Sequence, residues 1–344
     1  MNIALITGIY GQDSSYLSEL LLAKNYIIYG ITHKLSFDQL KNIKVLYCDI
    51  TNISDIIKIL NKISDENTDI NKLEIYNLAS QSSVAISYHY PEYTTNINAN
   101  AVLKLLEAIR IIKIKNLENK IRFFQASTSE LFGNNPEYPK TENTRFEPLS
   151  PYSISKLFAH NIVKNYRETY GIFACSGILF NHESPKRKDV FVTKKITKTI
   201  CNIIKGEHNE LVIGNIYVKR DWGHARDSVR AMWLMLQADK PNDYVIATGQ
   251  QYSVKDFITL AFSKVNIELE WKKEHNNIYE YAVNKSNNQI IVRMSDEYFR
   301  KNELYDMVGD SSLIYNNLGW KPEISFDELV NEMINHDLNN ILKF

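Results

Sequence analysis

Cysteine is nearly absent from this chain. Cys48, Cys175 and Cys201 are the three in 344 residues, and no two form a Cys-x-x-Cys pair. That argues against a disulfide scaffold and against a cysteine-based zinc site. Cys48 and Cys175 fall in strand-like runs, so they read as small buried hydrophobes in a reducing, cytoplasmic setting. The eight histidines show no His-Glu-x-x-His or other ligand spacing, and no metal is expected. Net charge is lacking too, since 40 Lys plus Arg offset 40 Asp plus Glu. A general nucleic-acid binder should be basic, so none is indicated. No apolar run approaches the roughly 18 residues of a membrane span. The chain enters a strand-like run at once, which leaves no room for a signal peptide. No internal repeat is found.

What is present is an alternation of apolar runs and helical periodicity. Asn2–Thr7 reads as a buried parallel strand, and Tyr16, Leu17, Leu20 and Leu21 then recur at helical spacing. Between them lies Gly8-Ile9-Tyr10-Gly11-Gln12-Asp13-Ser14. Strand, glycine turn and helix start form a pyrophosphate cradle, although two glycines alone could be an ordinary turn. Ser14 stands where a third glycine is usual. The second strand, Tyr26–Ile31, leads into Thr32-His33-Lys34. No acid stands there to hold ribose hydroxyls, and a fixed positive charge does, which favours NADP over NAD. The bland alternative is that Lys34 solvates a loop. Further strands are expected at Val45–Asp49, Leu73–Leu78, Ile121–Ser127 and Ile172–Phe180, with helices at Ala101–Ile109 and Tyr152–Tyr170. The fold class is therefore α/β: a Rossmann-type doubly wound parallel sheet, with a smaller interleaved α/β substrate-binding lobe. Gly8, Ala79, Thr128 and Asn181 all follow strand ends, where such sheets bind ligands.

The chemistry concentrates in two short stretches. Tyr152 and Lys156 are four apart and share a helical face. There an ammonium favours the phenolate, which can accept a proton from a substrate hydroxyl losing hydride. Thr128-Ser129-Glu130 follows the fifth strand and offers a second acid/base group. Oxidation followed by a second proton-dependent step is the chemistry proposed by this pairing. After Asn181, Lys186, Arg187, Lys188, Lys194, Lys195, Lys219, Arg220, Arg226 and Arg230 crowd the chain. They read either as solvated faces or as a nucleotide-diphosphate pocket, since arginine forks fit diphosphates.

These stretches resemble the extended short-chain dehydrogenase/reductases, and within them the GDP-mannose 4,6-dehydratase family. The resemblance rests on Ala4–Gly8 through Asp13, Gln125–Gly133, Ser150–Lys156, Asn181-His182-Glu183-Ser184-Pro185, Arg220-Asp221-Trp222-Gly223-His224-Ala225, Ile246–Gly249, Tyr298-Phe299-Arg300 and Leu318–Pro322. It implies a cycle on GDP-mannose. Tyr152, assisted by Lys156 and Thr128, takes the C4 hydroxyl proton while hydride passes to NADP. Glu130 removes the C5 proton and helps expel the C6 hydroxyl as water. Hydride returns to C6, giving GDP-4-keto-6-deoxy-mannose. The resemblance further implies cofactor contacts from Gly8, Gly11, Gln12, Asp13, Asp49, Ile50, Leu78, Ser80, Ser82, Tyr93, Lys156, His182 and Arg187, joined by Lys34 from the charge argument. Substrate contacts would come from Ser87, Asn181, Lys195, Arg220, Arg300 and Glu303. Tyr93 and Leu78 could instead be core residues, and Lys195 and Glu303 surface charges.

Departures from the family pattern are Ser14 for glycine, Ser83 for histidine and Lys301 for proline. The family's arginine pair and long insertion after the second strand are also missing. In the family that insertion reaches a neighbouring subunit of a tetramer, so a homodimer is expected here, and a weaker grip on the 2′-phosphate. Residues 1–180 plus about 224–250 are expected to form the NADP-binding domain, and 181–223 plus about 251–344 the substrate lobe. The competing readings are another nucleotide-sugar epimerase, reductase or glucose-nucleotide dehydratase, and a catalytically dead NADP-binding module. Glu130 discriminates the first, because simple C4 epimerases need no acid there. The intact Thr128, Glu130, Tyr152 and Lys156 argue against the second.

Overall fold

The computed structural model describes residues 1–112, 117, 119–273, 279–299 and 303–341. The chain divides into two compact units: residues 1–180, 225–246 and 310–321 form the first, and residues 181–224, 247–309 and 322–344 the second.

The first unit opens with β1 (Asn2–Thr7), α1 (Gln12–Ala23), β2 (Ile27–Thr32), β3 (Ile43–Tyr47), α2 (Ile53–Glu66) and β4 (Lys72–Asn77). It continues with α3 (Val84–His89), α4 (Pro91–Thr95), a π-turn at Asn96–Asn100, α5 (Ala101–Ile111), β5 (Ile121–Ala126), a 3-10 turn at Ser129–Phe132, α6 (Pro151–Tyr170) and β6 (Phe173–Leu179). The chain then enters the second unit with β7 (Asn181–Glu183), α7 (Val192–Lys205), β8 (Leu211–Ile213), β9 (Lys219–Arg220) and β10 (Trp222–His224). It returns to the first unit for α8 (Ala225–Met235) and β11 (Tyr244–Ile246). The second unit resumes with β12 (Tyr252–Ser253), α9 (Val254–Ser263), β13 (Leu269–Lys273), β14 (Glu280–Asn284) and β15 (Ile290–Met294). α10 (Ser312–Leu318) lies in the first unit and α11 (Phe326–Ile341) in the second.

The first unit is a seven-stranded parallel sheet in the order β11-β6-β5-β4-β1-β2-β3. Strand order reverses between β1 and β4, which opens the crevice where such folds bind ligands. The inner strands are largely apolar because helices cover both faces. On one face α2, α5 and α6 contribute Ile59, Leu60, Leu105 and Val163 to a core with Ile3, Leu5, Ile75 and Phe123. On the other, α1 and α8 contribute Leu17, Leu21, Val229 and Met232 against Ala4, Ile6 and Phe124. Ile314 and Trp320 join this second core, and the Trp320 indole donates to the Asp227 carbonyl at 2.9 Å. Residues 310–321 therefore lie in the first unit, where the sequence expectation had them in the substrate lobe. The third strand also begins two residues earlier than expected and ends at Tyr47, so Cys48 follows it; all three cysteines are free and buried.

The second unit is built on a four-stranded sheet in the order β13-β14-β15-β8, of which only the β15–β8 pairing is parallel. Its core joins Ile196, Ile200, Trp222, Phe257, Ile258, Val292, Met333 and Ile334. No helix among the described residues is long and apolar enough to cross a membrane.

Candidate active site

At the end of β1 the chain turns at Gly8, whose φ is +67°. A Cβ on Gly8 would lie 3.0 Å from the Ala79 Cα, so only glycine lets this turn rest against the chain leaving β4. The Gly8 carbonyl accepts the Gly11 N–H at 2.9 Å and the Ser14 hydroxyl at 2.9 Å. Ser14 is buried, so the residue that breaks the glycine pattern ties the turn down with its side chain. Gly11 caps α1 without a side-chain hydrogen bond, which leaves the first amides of the helix to serve an anion. A turn with no side-chain bulk at a helix N-terminus, on the switch point of the sheet, fits a dinucleotide pyrophosphate.

The other positions expected at the cofactor scatter around neighbouring strand ends. Gln12 donates to the Asp13 carboxylate at 3.1 Å. Asp49, just past β3, accepts from the Thr51 amide at 2.9 Å and its hydroxyl at 2.7 Å, and Ile50 beside it is buried. Leu78 is half-buried, and its amide donates to the Thr7 hydroxyl at 2.9 Å. Ser80 donates to the Asn98 side chain at 2.9 Å. Ser82 and Lys34 are exposed, and Tyr93 is 53% exposed, which removes the alternative that Tyr93 is a core residue. Ser83 N-caps α3, its hydroxyl accepting from the Ile86 amide. Ser87, expected at the substrate, is buried with its hydroxyl donating to the Val84 carbonyl of its own helix.

Tyr152 and Lys156 owe their placement to a helix start written in the sequence. The Ser150 hydroxyl accepts from the Ser153 amide and the Ser153 hydroxyl from the Ser150 amide, both at 3.0 Å, with Pro151 at the first helical position. Both Tyr152 and Lys156 are buried. The Lys156 ammonium lies 5.9 Å from the Tyr152 ring centre and donates to the Ala126 carbonyl at the end of β5, 3.0 Å away. Burial pulls it down from the usual lysine range to about 8, with the Asp13 charge opposing. Thr128 follows β5, is buried, and caps the 3-10 turn by accepting from the Glu130 amide at 3.3 Å. Glu130 is half-buried on that turn, which packs against α6. Gly133 ends the turn with φ of +56°, where a Cβ would meet the Glu147 carbonyl oxygen at 1.9 Å. Lys156, one helical turn from Tyr152 on α6, thus reaches the end of the strand that Thr128 and Glu130 follow.

In the second unit, Asn181 and His182 lie on β7, in register with Trp222 and Gly223 of β10. Arg187 pairs with the buried Glu183 at 2.9 Å, its guanidinium 3.5 Å from the Phe191 ring centre. Lys195 is half-buried over the Tyr298 ring at 3.5 Å, and burial pulls its ammonium down. Arg220 is buried, donates to the Leu304 carbonyl at 2.7 Å and pairs with Glu303 at 3.1 Å. Lys195 and Glu303 are therefore not free surface charges. Arg300 lies outside the described residues, as does Lys301. No group of three or more His, Cys, Asp or Glu among the described residues could hold a metal ion.

Sequence reasoning missed the residues that hold these loops. Asn98, buried in the π-turn, accepts from Ser80 Oγ at 2.9 Å and the Gln81 amide at 3.0 Å, and donates to the Gln81 carbonyl at 2.9 Å. Asp221, buried after β9, accepts from the Thr248 amide and hydroxyl at 2.8 and 2.6 Å, from Gly249 N at 2.9 Å and from Gly309 N at 3.3 Å. Neither Asn96-Ile97-Asn98-Ala99-Asn100 nor Lys219-Arg220-Asp221-Trp222 sets its buried residue apart by an apolar pattern.

The strand order, the glycine turn and the Tyr152–Lys156 helix define a Rossmann-fold protein of the short-chain dehydrogenase/reductase class. Solved structures with the same fold include RMD from Pseudomonas aeruginosa complexed with NADPH, at 20% identity and a TM-score of 0.76 over 99% of this chain and 100% of that one. UDP-glucose 4-epimerase from Thermotoga maritima, solved with UDP-glucose, is 22% identical with a TM-score of 0.78, over 99% of this chain and 100% of that one. In sequence the likeness is narrower. The family model described as GDP-mannose 4,6 dehydratase matches residues 5–333. A GDP-mannose 4,6-dehydratase of Yersinia enterocolitica is 44% identical over 98% of this chain and 94% of its own, and the human enzyme of that name 42% over 98% and 91%. The chain belongs to the GDP-mannose 4,6-dehydratase family.

Proposed function

We propose that the chain is a GDP-mannose 4,6-dehydratase, a hydro-lyase that turns GDP-mannose into GDP-4-keto-6-deoxy-mannose and water with a tightly held NADP. One observation carries the reading. In a chain of this family, the strand end that receives the buried Lys156 also bears Thr128 and Glu130. A nicotinamide cofactor held at Gly8, Gly11 and the first amides of α1 would supply a hydride acceptor for C4 and a hydride donor for C6. Tyr152 accepts the C4 hydroxyl proton. Lys156 presents a positive charge one helical turn away, and Thr128 offers its hydroxyl to the same oxygen. With a ketone at C4 the C5 proton becomes acidic; Glu130 removes it and delivers a proton to the departing C6 hydroxyl. Atoms balance as loss of one water. Asn181, Lys195 and Arg220 are proposed to hold the GDP portion, with Arg187 and His182 serving the cofactor.

NADP rather than NAD is supported by Thr32-His33-Lys34, which puts a cation and no carboxylate past β2. A homodimer is supported by α6, which exposes Ile154 and Phe158 on one face, with Tyr88 and Tyr90 exposed on and beside the adjoining α3. Residues 33–42 fold back on their own unit: the Tyr10 hydroxyl donates to the Asp38 carbonyl, and Phe37 and Leu40 pack on the core. That packing supports a dimer over a tetramer bridged by this segment. Free, buried cysteines suit a reducing compartment such as the cytoplasm.

The test is incubation of the purified protein with GDP-mannose and catalytic NADP, followed by mass spectrometry of the sugar nucleotide. Loss of one water without accumulation of NADPH is expected. An unchanged mass, with UDP- and dTDP-glucose also unchanged, would refute the dehydratase reading and favour an epimerase or reductase.

A further inference from the structure

Four strands of the parallel sheet carry a polar residue at one level. Thr7, Asn77, Gln125 and Ser176 stand in register on β1, β4, β5 and β6, and all are buried at 0–1% exposure. Elsewhere these strands are largely apolar, and uncharged polar groups at such depth are costly unless hydrogen-bonded. The first three are bonded in sequence. The Thr7 hydroxyl accepts the Leu78 and Ala79 amides at 2.9 and 2.8 Å and donates to Asn77 Oδ1 at 2.8 Å. Asn77 Nδ2 donates to Gln125 Oε1 at 2.7 Å. Gln125 Nε2 then donates to the Ala126 carbonyl at 2.8 Å. That carbonyl is also the acceptor of the Lys156 ammonium.

We propose that Asn77 and Gln125 are positioning residues for Lys156. Together with Thr7 they form a buried rung that ties the chain beside the glycine turn to the one carbonyl that receives the catalytic lysine. The inference rests on the reading of Lys156 as the amine that serves Tyr152. Two features make the rung more than packing. It is directional: each side-chain amide has one sense that satisfies both neighbours, so reversing one reverses the next. It also ends on a shared acceptor. The Gln125 amide fixes where the Ala126 carbonyl points and competes for its lone pairs, which limits how strongly that carbonyl can hold the ammonium. The charge of Asp13 on α1 acts on Lys156 through space, and Tyr152 is its neighbour on α6. The rung adds no charge and acts through the aim and the lone pairs of the Ala126 carbonyl.

The test uses the full chain labelled with [ε-13C]lysine, with the Lys156 resonance assigned by its loss in Lys156→Met. Asn77→Leu, which touches Lys156 only through Gln125, is expected to move the Lys156 titration midpoint. It should also lower kcat for GDP-mannose by about 10- to 100-fold, with KM within twofold. Gln125→Met should do the same, and the double variant should lose no more than either single one, because both act through one carbonyl. Should these variants fail to fold, Gln125→Glu keeps the acceptor for Asn77 and puts a charge beside Ala126, and must raise the midpoint by about 1–3 units. Additive losses, an unmoved midpoint, or a lowered melting temperature alone would overturn the proposal. The midpoint needs no substrate. A wild type that binds cofactor yet dehydrates nothing, with midpoints that move as stated, would sink the dehydratase reading and leave the rung standing.

Discussion

The two units secure their functional residues by different physics. In the first unit the frame is neutral. Thr7, Asn77, Gln125, Asn98 and the Ser150–Ser153 cap hold the loops with uncharged hydrogen bonds, and Lys156 is the charged group buried among them. In the second unit the frame is ionic. Arg187 rests on Glu183, Arg220 on Glu303, and Lys194 on the buried Asp337, which also accepts the Thr197 hydroxyl at 2.7 Å. The difference follows from the task. A lysine that must stay near its ionisation point is set by burial, and nearby fixed charges would shift it. On the proposed reading Arg220 receives a diphosphate and must be aimed before it arrives, and its paired carboxylate aims it at the cost of some net attraction.

The largest expected effect separates chemistry from framing. Glu130→Gln keeps size and hydrogen bonding and removes the base, so dehydration should fall by about 10²- to 10⁴-fold while cofactor affinity holds. A turnover within a few-fold of wild type would show that another group removes the C5 proton. Next comes the ionic frame. Lys194 also donates to the Pro185 carbonyl at 2.9 Å, so it anchors the Asn181–Pro185 segment to α7. Lys194→Met strands a buried Asp337 and should cost about 3–5 kcal/mol in denaturant unfolding. Lys194→Met with Asp337→Leu should recover most of that. Failure to recover would mean the pair contributes net stability, and the contrast between the frames would weaken.

Much of this was legible in the sequence because it was local or periodic. The sheet follows from apolar runs alternating with helical spacing, and the Tyr152–Lys156 helix from Ser150-Pro151 at its start. Long-range pairing was not legible. Nothing in the sequence ties Asn77 to Gln125, or Asp221 to Thr248 and Gly309, because such bonds depend on strand register and loop return. The segment 310–321 was misplaced for a similar reason: Ile314 and Trp320 look like any amphipathic stretch, and only the core of the first unit decides where they go. Ser14 shows in the sequence only as a departure from the glycine pattern, whereas in the fold its hydroxyl bonds the turn it interrupts.

The pH dependence sharpens the comparison, because it reads the neutral frame directly. Burial lowers Lys156 to about 8, so its ammonium, and with it kcat, should be lost as pH rises through that value. The loss should be about tenfold per unit where this group limits. Stability should move the other way. Between about pH 8 and the unfolded lysine value near 10.4 the unfolded chain holds a proton that the folded chain has released, so unfolding free energy rises with pH across that window. Lys156→Met should remove this contribution. An alkaline limb set well above 8 would mean that Asp13 outweighs burial.

The smallest effect concerns the cation past β2. Lys34 is exposed, and its amide donates to the Thr32 hydroxyl at 3.3 Å. An exposed lysine meeting a phosphate in high dielectric and physiological salt contributes little. Lys34→Ala should therefore reduce the preference for NADP over NAD by no more than about fivefold, and less at high ionic strength, as measured by cofactor titration in tryptophan fluorescence. A much larger loss would show that Lys34 is drawn in and desolvated when the 2′-phosphate binds. An unchanged ratio would leave the preference to the absence of a carboxylate after β2, and Thr32→Asp would then be expected to reverse it by repelling the phosphate.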